Sequence, residues 1–475
     1  MGDVLVGGAK ESTWAYGGGL PGTELRLTRG RRALISLENG LQTDTTIHWH
    51  GIRLRNAVDG VPDLTQDPVG PKSQFLYDFV PPDAGTFFYH PHVGVQNDTA
   101  MYGPLIVEDP GEKLGYDVDV PVVIDDWLGD GGDPDKVLKD LQTHGMMGSS
   151  GGMGGMHMGQ GSGGGMSGGM GMMASPAMLA RMDTAAASGP FRTPSGAVPR
   201  IAHAAGLTNA LVAGATHSGD VPHTTHLING APPQRPALIE AKQGQTVRLR
   251  LINAGADTMY LVHGDGVPMT VVAADGMRTE PLVTDAVLMG MAERYDVLVK
   301  VGARPIRIVA RPMGKAGVAM TVVGPRGSAS KVGMSTVNQP VRVAGPQDLT
   351  QLGGSRPARA ARVVKPLVLT MSMPYEWAVE DPDGSTGDIT VNLGDRVRFA
   401  MTNKTGMVHP MHFHGHSFRE VQGRTYGPLK DTINIAPGQT VTVDVKADNP
   451  GKWMLHCHNA YHLAANMMRT VIVKS

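Results

Sequence analysis

Apolar and polar residues alternate with a period of two along several stretches of the chain, and the apolar runs are short. This period places successive side chains on opposite faces of a β-strand, whereas an amphipathic helix repeats its apolar residues every three or four positions. The 64 glycines and 34 prolines also disfavour a helical bundle, because both residues interrupt helices. The pattern predicts an all-β protein.

A unit made of a glycine turn and an alternating strand that ends in asparagine occurs three times, in residues 26–39, 243–253 and 393–403. Its recurrence suggests three related β-sandwich domains. A chain of 475 residues is also too long for a single hydrophobic core. We therefore predict domains at residues 1–118, 119–345 and 346–475.

Two stretches depart from this alternation. Residues 324–362 are rich in glycine, serine, proline and arginine, as expected of a connector between the second and third domains. Residues 144–173 contain nine methionines among glycines and serines and cannot pack a core, so we expect a loop inserted in the second domain. A short helix is predicted after this Met-rich insert, at residues 176–187, where apolar residues fall at helical spacing.

The overall charge excludes some classes of partner. The formal net charge is -1, so no basic excess would attract nucleic acid or anionic lipid. No apolar run approaches the roughly 18 to 20 residues of a membrane span. The N-terminal residues lack a charged segment followed by an apolar one, so we expect either an intracellular chain or one whose targeting peptide has been removed.

Eleven of the 18 histidines fall in four short clusters. These are His48-Trp49-His50-Gly51, His90-Pro91-His92, His409-Pro410-Met411-His412-Phe413-His414-Gly415-His416, and His456-Cys457-His458 followed by His462. One His-x-His pair says little, because alternation alone puts two imidazoles on one face of a strand. Four such pairs predict a metal site, although imidazole binds copper, zinc, iron and nickel alike.

Cys457 is the only cysteine, so it cannot form an internal disulfide. On a strand, His456 and His458 would point to one face and Cys457 to the other, where His409 and His462 could join it. Two histidines, a thiolate and a long axial methionine form the blue-copper electron-transfer site. Met467 lies ten residues after the cysteine and supplies the axial group.

Eight other clustered imidazoles remain for a second centre: His48, His50, His90, His92, His412, His414, His456 and His458. Eight ligands are too many for one ion and fit three coppers with open positions for oxygen. Reduction of O2 to two waters takes four electrons, which a multi-metal site can accumulate. Structural zinc is the alternative, but it prefers closed four-ligand sites and has no use for the adjacent thiolate.

These four motifs, in this order, resemble those of the multicopper oxidases, the family of laccases, cuprous oxidases and copper-resistance oxidases. Asp275-Gly276-Met277 and residues 290–297 resemble the middle domain of three-domain members, so the resemblance spans the chain. It implies three cupredoxin-like Greek-key sandwiches, with a trinuclear copper cluster between the first and third.

The resemblance also implies four coppers and their ligands. The type 1 copper would be held by His409, Cys457, His462 and Met467. The type 2 copper would be held by His48 and His412. The type 3 pair would be held by His50, His90, His92, His414, His456 and His458. His416 would then be a hydrogen-bond partner rather than a ligand.

Three catalytic residues are predicted: Asp59, Cys457 and His462. Asp59 lies eleven residues after His48, where the family often keeps a carboxylate near the cluster, and it could move protons to bound oxygen. A solvated loop aspartate is the alternative. Leu463 stands where some bacterial relatives carry a glutamate, which argues against a proton relay at that position.

The sequence says less about the substrate than about the metal ligands. A donor need only touch the edge of His462 or His409 near the surface, and the family oxidises phenols, anilines and metal ions with O2 as acceptor. An axial methionine favours Cu(II) and a low to moderate potential, which suits electron-rich phenols or Cu(I). Met407 resembles a substrate-copper methionine of bacterial cuprous oxidases, whereas Thr405 stands where those enzymes carry an aspartate.

Two functions therefore stay open. The chain is either a laccase-like oxidase, with cuprous oxidase activity if the Met-rich insert delivers Cu(I), or a copper-sequestering protein whose insert stores Cu(I). The complete set of twelve ligands favours the enzyme. A copper-storage protein does not need a thiolate centre linked to a metal cluster with open positions for oxygen. We expect a monomer, since three domains already enclose the cluster, and a periplasmic or secreted location, since the family is mostly exported.

Overall fold

The computed structural model describes residues 2–145, 200–201, 211, 214–215, 219–331, 342–354 and 356–475. Residues 146–173 of the Met-rich insert and the predicted helix at 176–187 lie outside the described residues. The described part consists mainly of strands, with α-helices at Pro134–His144 (α1) and Ala460–Ala464 (α2). The predicted all-β class is confirmed.

The first region of the chain forms a hairpin and two small sheets. Its strands are β1 (Gly2–Val6), β2 (Ala9–Thr13), β3 (Leu25–Thr28), β4 (Ala33–Glu38), β5 (His48–His50), β6 (Gln74–Phe79), β7 (Gly85–His90) and β8 (Gly103–Glu108). The sheet β3-β8-β7-β5 and the pair β4-β6 bury one common core that contains Trp49, Tyr77 and Phe87.

The middle region contains a seven-stranded sheet, β10-β16-β15-β18-β13-β9-β11, and a six-stranded sheet, β12-β20-β19-β14-β17-β21. Its strands are β9 (Val118–Trp127), β10 (Arg200–Ile201), β11 (Thr225–Ile228), β12 (Leu238–Glu240), β13 (Thr246–Asn253), β14 (Tyr260–Gly264), β15 (Met269–Ala274), β16 (Met277–Thr284), β17 (Ala286–Met289), β18 (Arg294–Lys300), β19 (Ile306–Pro312), β20 (Ala319–Gly324) and β21 (Val343–Ala344). Both sheets contribute to a second core, which is rich in valine, leucine and isoleucine.

The third region contains a seven-stranded sheet, β22-β29-β28-β31-β26-β23-β24, and a five-stranded sheet, β25-β33-β32-β27-β30. Its strands are β22 (Arg356–Pro357), β23 (Val363–Ser372), β24 (Glu376–Glu380), β25 (Ile389–Asn392), β26 (Arg396–Asn403), β27 (His409–Phe413), β28 (Phe418–Gln422), β29 (Thr425–Lys430), β30 (Thr432–Ile435), β31 (Thr440–Lys446), β32 (Gly451–Cys457) and β33 (Met468–Lys474). The third core lies between these sheets and includes Cys457 and Met467.

The three regions share one pattern of strand pairing. β3 pairs with β8, β12 with β20, and β25 with β33, in each case in parallel. A parallel pair cannot be joined by a tight hairpin, so the chain must cross between sheets before it returns. Such crossings are typical of Greek-key sandwiches.

The repeated asparagine has the same function at the end of each predicted strand. Asn39, Asn253 and Asn403 are each at most 3% exposed. The side-chain oxygen of each accepts the backbone N–H two residues later, at 2.8, 3.0 and 2.8 Å. The side-chain Nδ2 of each donates to two backbone carbonyl oxygens. This local turn explains why the sequence unit ends in asparagine in all three copies.

We propose domain boundaries at residues 1–118, 119–345 and 346–475, because each range holds its own pair of sheets. The connector contributes to both of its neighbours. Its strand β21 pairs with β17 of the middle region, and β22 pairs with β29 of the third.

Candidate metal centre

Strand pairing aligns the sequence-predicted histidines. In the first region β5 pairs with β7 so that His48 lies opposite His90. In the third region β27 pairs with β32 so that His412 lies opposite His456. Each pair of strands therefore brings its histidine side chains together in a row.

The two rows meet between the first and third regions. The His48 ring stacks on His414 with centroids 4.0 Å apart, and the His50 ring stacks on His412 at 3.8 Å. We name these eight residues the histidine cluster: His48, His50, His90, His92, His412, His414, His456 and His458. All except the half-buried His92 are at most 5% exposed.

The ring N–H groups are hydrogen-bonded away from the middle of the cluster. His414 donates from Nδ1 to Asp59 Oδ2 at 2.8 Å, and His456 donates from Nδ1 to the Cys457 carbonyl oxygen at 2.8 Å. Each Nε2 atom therefore carries a lone pair, yet the two Nε2 atoms lie 2.9 Å apart. Lone pairs this close repel each other unless a cation binds them, so the geometry fits a metal ion.

Other cluster histidines are oriented in the same way. His48 donates from Nδ1 to the Asp59 carbonyl oxygen at 2.7 Å, and His412 donates from Nδ1 to the Asp431 carbonyl oxygen at 2.9 Å. The Nε2 atoms of both rings are buried without a hydrogen-bond partner. His50 is reversed: its Nε2 donates to Asp431 Oδ1 at 3.2 Å, and its Nδ1 is buried without a partner. Buried unpaired nitrogens are costly, so a bound metal accounts for them.

Burial also fixes the charge state of seven of the eight cluster histidines. Desolvation lowers the pKa of His90 to about 3. Desolvation, with repulsion from neighbouring rings, lowers the pKa well below the usual value for His48, His50, His92, His414, His456 and His458. These rings are neutral at pH 7, the form in which imidazole binds a metal.

Cys457 lies in a second set of possible ligands, on the opposite face of β32. Its Sγ lies 3.5 Å from His462 Nδ1 and 3.7 Å from His409 Nδ1, and the two Nδ1 atoms are 3.2 Å apart. Met467 is buried in the same core, and its carbonyl oxygen accepts the Cys457 N–H at 3.0 Å. We name these four residues the thiolate centre. Two imidazoles, a thiolate and a nearby methionine fit copper.

The sequence analysis placed the edge of His462 or His409 near the surface, and the structure differs from this expectation. Neither His462 nor His409 reaches the surface, since both are 0% exposed. His462 Nε2 donates to Asp220 Oδ2 at 2.9 Å, and Trp377 stacks on the His462 ring at 3.9 Å. Thr405 Oγ1 lies 2.6 Å from His409 Nε2. The expectation was wrong because residues of other strands and loops cover both ring edges.

Asp220 contacts this centre through a buried side chain, which is 2% exposed. Tyr375 also donates its hydroxyl to Asp220 Oδ2, at 2.5 Å. Burial by itself would lower the pKa of His462, but the hydrogen bond to Asp220 and the contact with Cys457 raise it to about 10. In the metal-free protein the His462 ring is therefore protonated on both nitrogens and charged, in contrast to the seven neutral rings of the histidine cluster.

Asp59 lies inside the centre rather than on a solvated loop, so the solvated-loop alternative is wrong. It is 1% exposed, and it accepts hydrogen bonds from His48 and His414 through different oxygens. Desolvation raises its pKa well above the usual value. His416 donates to the His414 carbonyl oxygen at 3.1 Å and stacks on Phe413, so it supports the backbone beside a predicted ligand.

The sequence did not point to three side chains that contact the predicted ligands: Asp220, Trp377 and Asp431. Asp431 follows a lysine within a largely apolar segment, and adjacent charges in such a segment indicate a buried ion-pair network. Asp220 carries no comparable signal, because its loop meets His462 only in the folded chain.

Sequence profiles described as multicopper oxidase match residues 2–112, 202–308 and 360–475. The chain is 33% identical to the multicopper oxidase MmcO of Mycobacterium tuberculosis, over 98% of this chain and 84% of that protein. It is 26% identical to copper resistance protein A of Escherichia coli, over 99% of this chain and 91% of that protein.

A solved laccase from Botrytis aclada has a similar structure. It matches with a TM-score of 0.72 at 21% identity, over 99% of this chain and 86% of that chain. The predicted fold class of cupredoxin-like β-sandwiches is confirmed. Among the helices in the described ranges, none is long and apolar enough to cross a lipid bilayer.

Proposed function

Because this chain belongs to the multicopper oxidase family, we propose that it oxidises one-electron donors at the thiolate centre and reduces O2 to water at the histidine cluster. Members of this family are oxidoreductases that use O2 and contain copper. The division of labour between the two centres of this chain is the proposal.

One observation carries it: Cys457 and His456 are consecutive residues that face different centres. The Cys457 thiol contacts His409 and His462, whereas His456 Nε2 contacts His414. The Cys457 carbonyl oxygen also accepts a hydrogen bond from the ring Nδ1–H of His456 at 2.8 Å. An electron that arrives at the thiolate can therefore reach the cluster through one peptide unit or one hydrogen bond.

We propose that the protein binds four copper ions. These ions would supply electron storage and oxygen binding. The thiolate centre would hold the type 1 copper. His48 and His412 would hold the type 2 copper through their unpaired Nε2 atoms. The type 3 pair would be held by His50, His90, His92, His414, His456 and His458.

Asp59 is the proposed proton-handling residue. Its raised pKa favours the protonated carboxyl, and Oδ2 lies 2.8 Å from His414 Nδ1 at the edge of the cluster. A buried acid in this position can hold a proton and release it while oxygen is reduced. No glutamate is available one residue after His462, where the chain has Leu463.

Electron-rich phenols are the proposed donors. Asp220 and Trp377 cover the His462 ring and their side chains are only 2% exposed, so a donor would have to approach the imidazole over the Asp220 carboxylate. The Asp220 carboxylate can accept a hydrogen bond from a phenol hydroxyl, which becomes strongly acidic when the ring loses an electron. The electron would pass to His462 while the proton stays at Asp220.

The test is oxygen consumption by the copper-loaded protein with a methoxyphenol and with Cu(I) as separate donors. Faster turnover of the phenol supports the laccase-like function, and faster turnover of Cu(I) would replace it with copper detoxification. No uptake with either donor would contradict the proposal. Asp220→Asn is the informative variant, because it keeps the shape of the side chain and removes its basicity.

Cu(I) oxidation is the second candidate, and the position of Gly145 favours it. A Cβ on this residue, the second of the Met-rich insert, would lie 3.4 Å from Met373 Cε. Met373 is 72% exposed and lies two residues before Tyr375, which binds Asp220. The first residues of the Met-rich insert therefore lie close to the residues that cover the thiolate centre.

Deletion of residues 146–173 separates delivery of Cu(I) from storage of it. If the insert delivers Cu(I), the deletion lowers Cu(I) oxidation at low copper and leaves phenol turnover unchanged. If the chain is mainly a store, the deletion removes most of the bound Cu(I) from a protein that shows little oxidase activity with either donor. Soft thioethers bind Cu(I) in preference to Cu(II), so both outcomes are measurable by chelator competition.

We also propose that the protein acts as a monomer in the periplasm or outside the cell. The cluster draws all of its histidines from one chain, so no second copy is needed to complete it. Sedimentation of the copper-loaded protein tests the monomer, and a dimer would contradict it.

A further inference from the structure

A buried ion pair connects the middle region to the histidine cluster. Arg294, the first residue of β18, is 0% exposed and donates from Nη1 and Nη2 to the two carboxylate oxygens of Asp431, at 2.7 and 2.6 Å. Asp431 lies between β29 and β30 of the third region and is 1% exposed. This buried ion pair therefore joins two different regions of the chain.

Asp431 in turn holds two of the proposed copper ligands. Its Oδ1 accepts the His50 Nε2–H at 3.2 Å, and its backbone carbonyl oxygen accepts the His412 Nδ1–H at 2.9 Å. These bonds decide which ring nitrogen of each histidine faces the cluster. His50 presents Nδ1 and His412 presents Nε2, and both atoms are buried without another partner.

We propose that Arg294 is a positioning residue for the trinuclear copper cluster, acting through Asp431 on His50 and His412. A bidentate guanidinium fixes the plane of a carboxylate, which a single point charge cannot do. The carboxylate plane then sets the direction of the His50 ring. This inference rests on the proposed function, because it assigns a task to the same cluster.

The contacts around Asp431 support this role. Both of its carboxylate oxygens accept from Arg294, and Oδ1 also accepts from the His50 ring and, at 2.9 Å, from the Thr432 hydroxyl. Behind the pair, Asp275 accepts the backbone N–H of Arg294 at 3.1 Å and also binds Lys430 at 2.9 Å. The arginine is therefore held from both sides.

The position of Gly51 in the His-Trp-His-Gly motif also supports a positioning role for Arg294. It has a φ of +87°, and a Cβ there would lie 2.4 Å from Arg294 Nη2 and 2.7 Å from Asp431 Oδ2. Any side chain at this position would displace the ion pair. The glycine beside His50 leaves the space through which the middle region reaches the cluster.

The test compares Arg294→Lys with Arg248→Lys in the full-length protein. Arg248 is a matched control, because it is also a buried arginine of the middle region, 2% exposed, and donates from Nη2 to Asp296 at 2.6 Å. Neither Arg248 nor Asp296 takes part in the histidine cluster. For each variant we would measure cluster copper affinity by chelator competition, the type 2 signal by electron paramagnetic resonance, and the melting temperature of the metal-free protein.

Loss of an orienting partner typically weakens metal binding by about 10–100-fold. We expect a loss of that size for cluster copper in Arg294→Lys, with an altered type 2 signal and unchanged blue absorption of the thiolate centre. Arg248→Lys should lower the melting temperature and leave copper affinity and the type 2 signal as in the wild type. Wild-type affinity and signal in Arg294→Lys would overturn the inference.

A second variant keeps the test valid if Arg294→Lys does not fold. Arg294→Gln combined with Asp431→Asn replaces the ion pair by two neutral amides of similar shape. The inference predicts weakened cluster copper in this folded variant also, and wild-type affinity would overturn it. If the wild type itself binds no cluster copper, the proposed function fails together with the inference.

Discussion

The thiolate centre and the histidine cluster differ in how far apart their residues lie in the sequence. His409 and His462 are 53 positions apart and belong to one region, whereas His90 and His458 are 368 positions apart and belong to two. The thiolate centre is therefore built by folding one sandwich. The cluster exists only when the first and third regions meet, with the middle region in contact through Arg294.

Their metal-free charge states differ as well. Seven of the eight cluster histidines are neutral because many rings share a buried space, and desolvation disfavours the charged form. His462 keeps a proton because Asp220 and Cys457 stabilise the charged ring. The comparison suggests that one centre is ready for metal and the other must first release a proton.

Cys457→Ser should have the largest effect and should act on one centre only. Serine cannot supply the thiolate, so we expect complete loss of the intense blue absorption and of oxidase turnover. The type 2 signal should persist, because Cys457 contacts the cluster only through its backbone oxygen. Retained turnover would show that electrons do not pass through this residue.

Asp59→Asn should lower oxygen reduction without emptying either centre. The amide can still accept the His414 N–H but cannot carry the proton, so we expect a loss of about 100-fold in turnover. Reduction of the thiolate centre by a phenol, followed in the absence of oxygen by loss of blue colour, should stay normal. Asp63→Asn, an exposed residue nearby, is the control. Normal turnover in Asp59→Asn would exclude the proton role.

Copper uptake should depend on pH at the thiolate centre more than at the cluster. His462 has a raised pKa of about 10, so below that pH copper must displace its proton. Each unit of falling pH should weaken uptake about tenfold for this proton alone. Burial lowers the pKa of His48, His50, His90, His92, His414, His456 and His458, so these seven rings stay neutral across the same range.

Copper titrations at pH 6, 7 and 8 measure both centres at once, by blue absorption and by the type 2 signal. In Asp220→Asn the pH dependence of blue colour should become weaker, because the partner that stabilises the proton is lost. Equal pH dependence of copper uptake at the two centres would contradict the difference in charge state between His462 and the cluster histidines.

Met467→Leu should give the smallest effect. Loss of a weak axial thioether disfavours Cu(II), so the potential of the type 1 copper should rise while the blue colour remains. A redox titration measures the shift. Met401→Leu is the control, because Met401 is a buried methionine of the same core. A shift of equal size in both variants would argue against Met467 as the axial group.

Strand periodicity explains why so much of the site was predictable. In the segment His456-Cys457-His458, alternation alone predicted that the cysteine and its neighbours face opposite sides of one strand. His456 and Cys457 at the end of β32 face different centres in this way, and His458, the next residue, contacts His90 of the histidine cluster. The repeated strand ending in asparagine likewise predicted β4, β13 and β26. In both cases the physical cause acts over a few residues.

The surroundings of the ligands were not predictable in this way. Asp220 covers His462 from a loop that lies 242 positions away in the sequence, and Asp431 reaches His50 across 381 positions. Such contacts depend on how separate sheets dock, which no local pattern records. For the same reason the sequence suggested an accessible imidazole where the structure has a covered one.

The sequence by itself determined the all-β class, the family and the set of candidate ligands, because strand alternation and short spacing are local properties. The tertiary structure decided which ring nitrogen faces each centre, which charge state most of the histidines take and which side chains cover His462. Those properties follow from hydrogen bonds and desolvation between distant segments, and they exist only after the three regions have packed together.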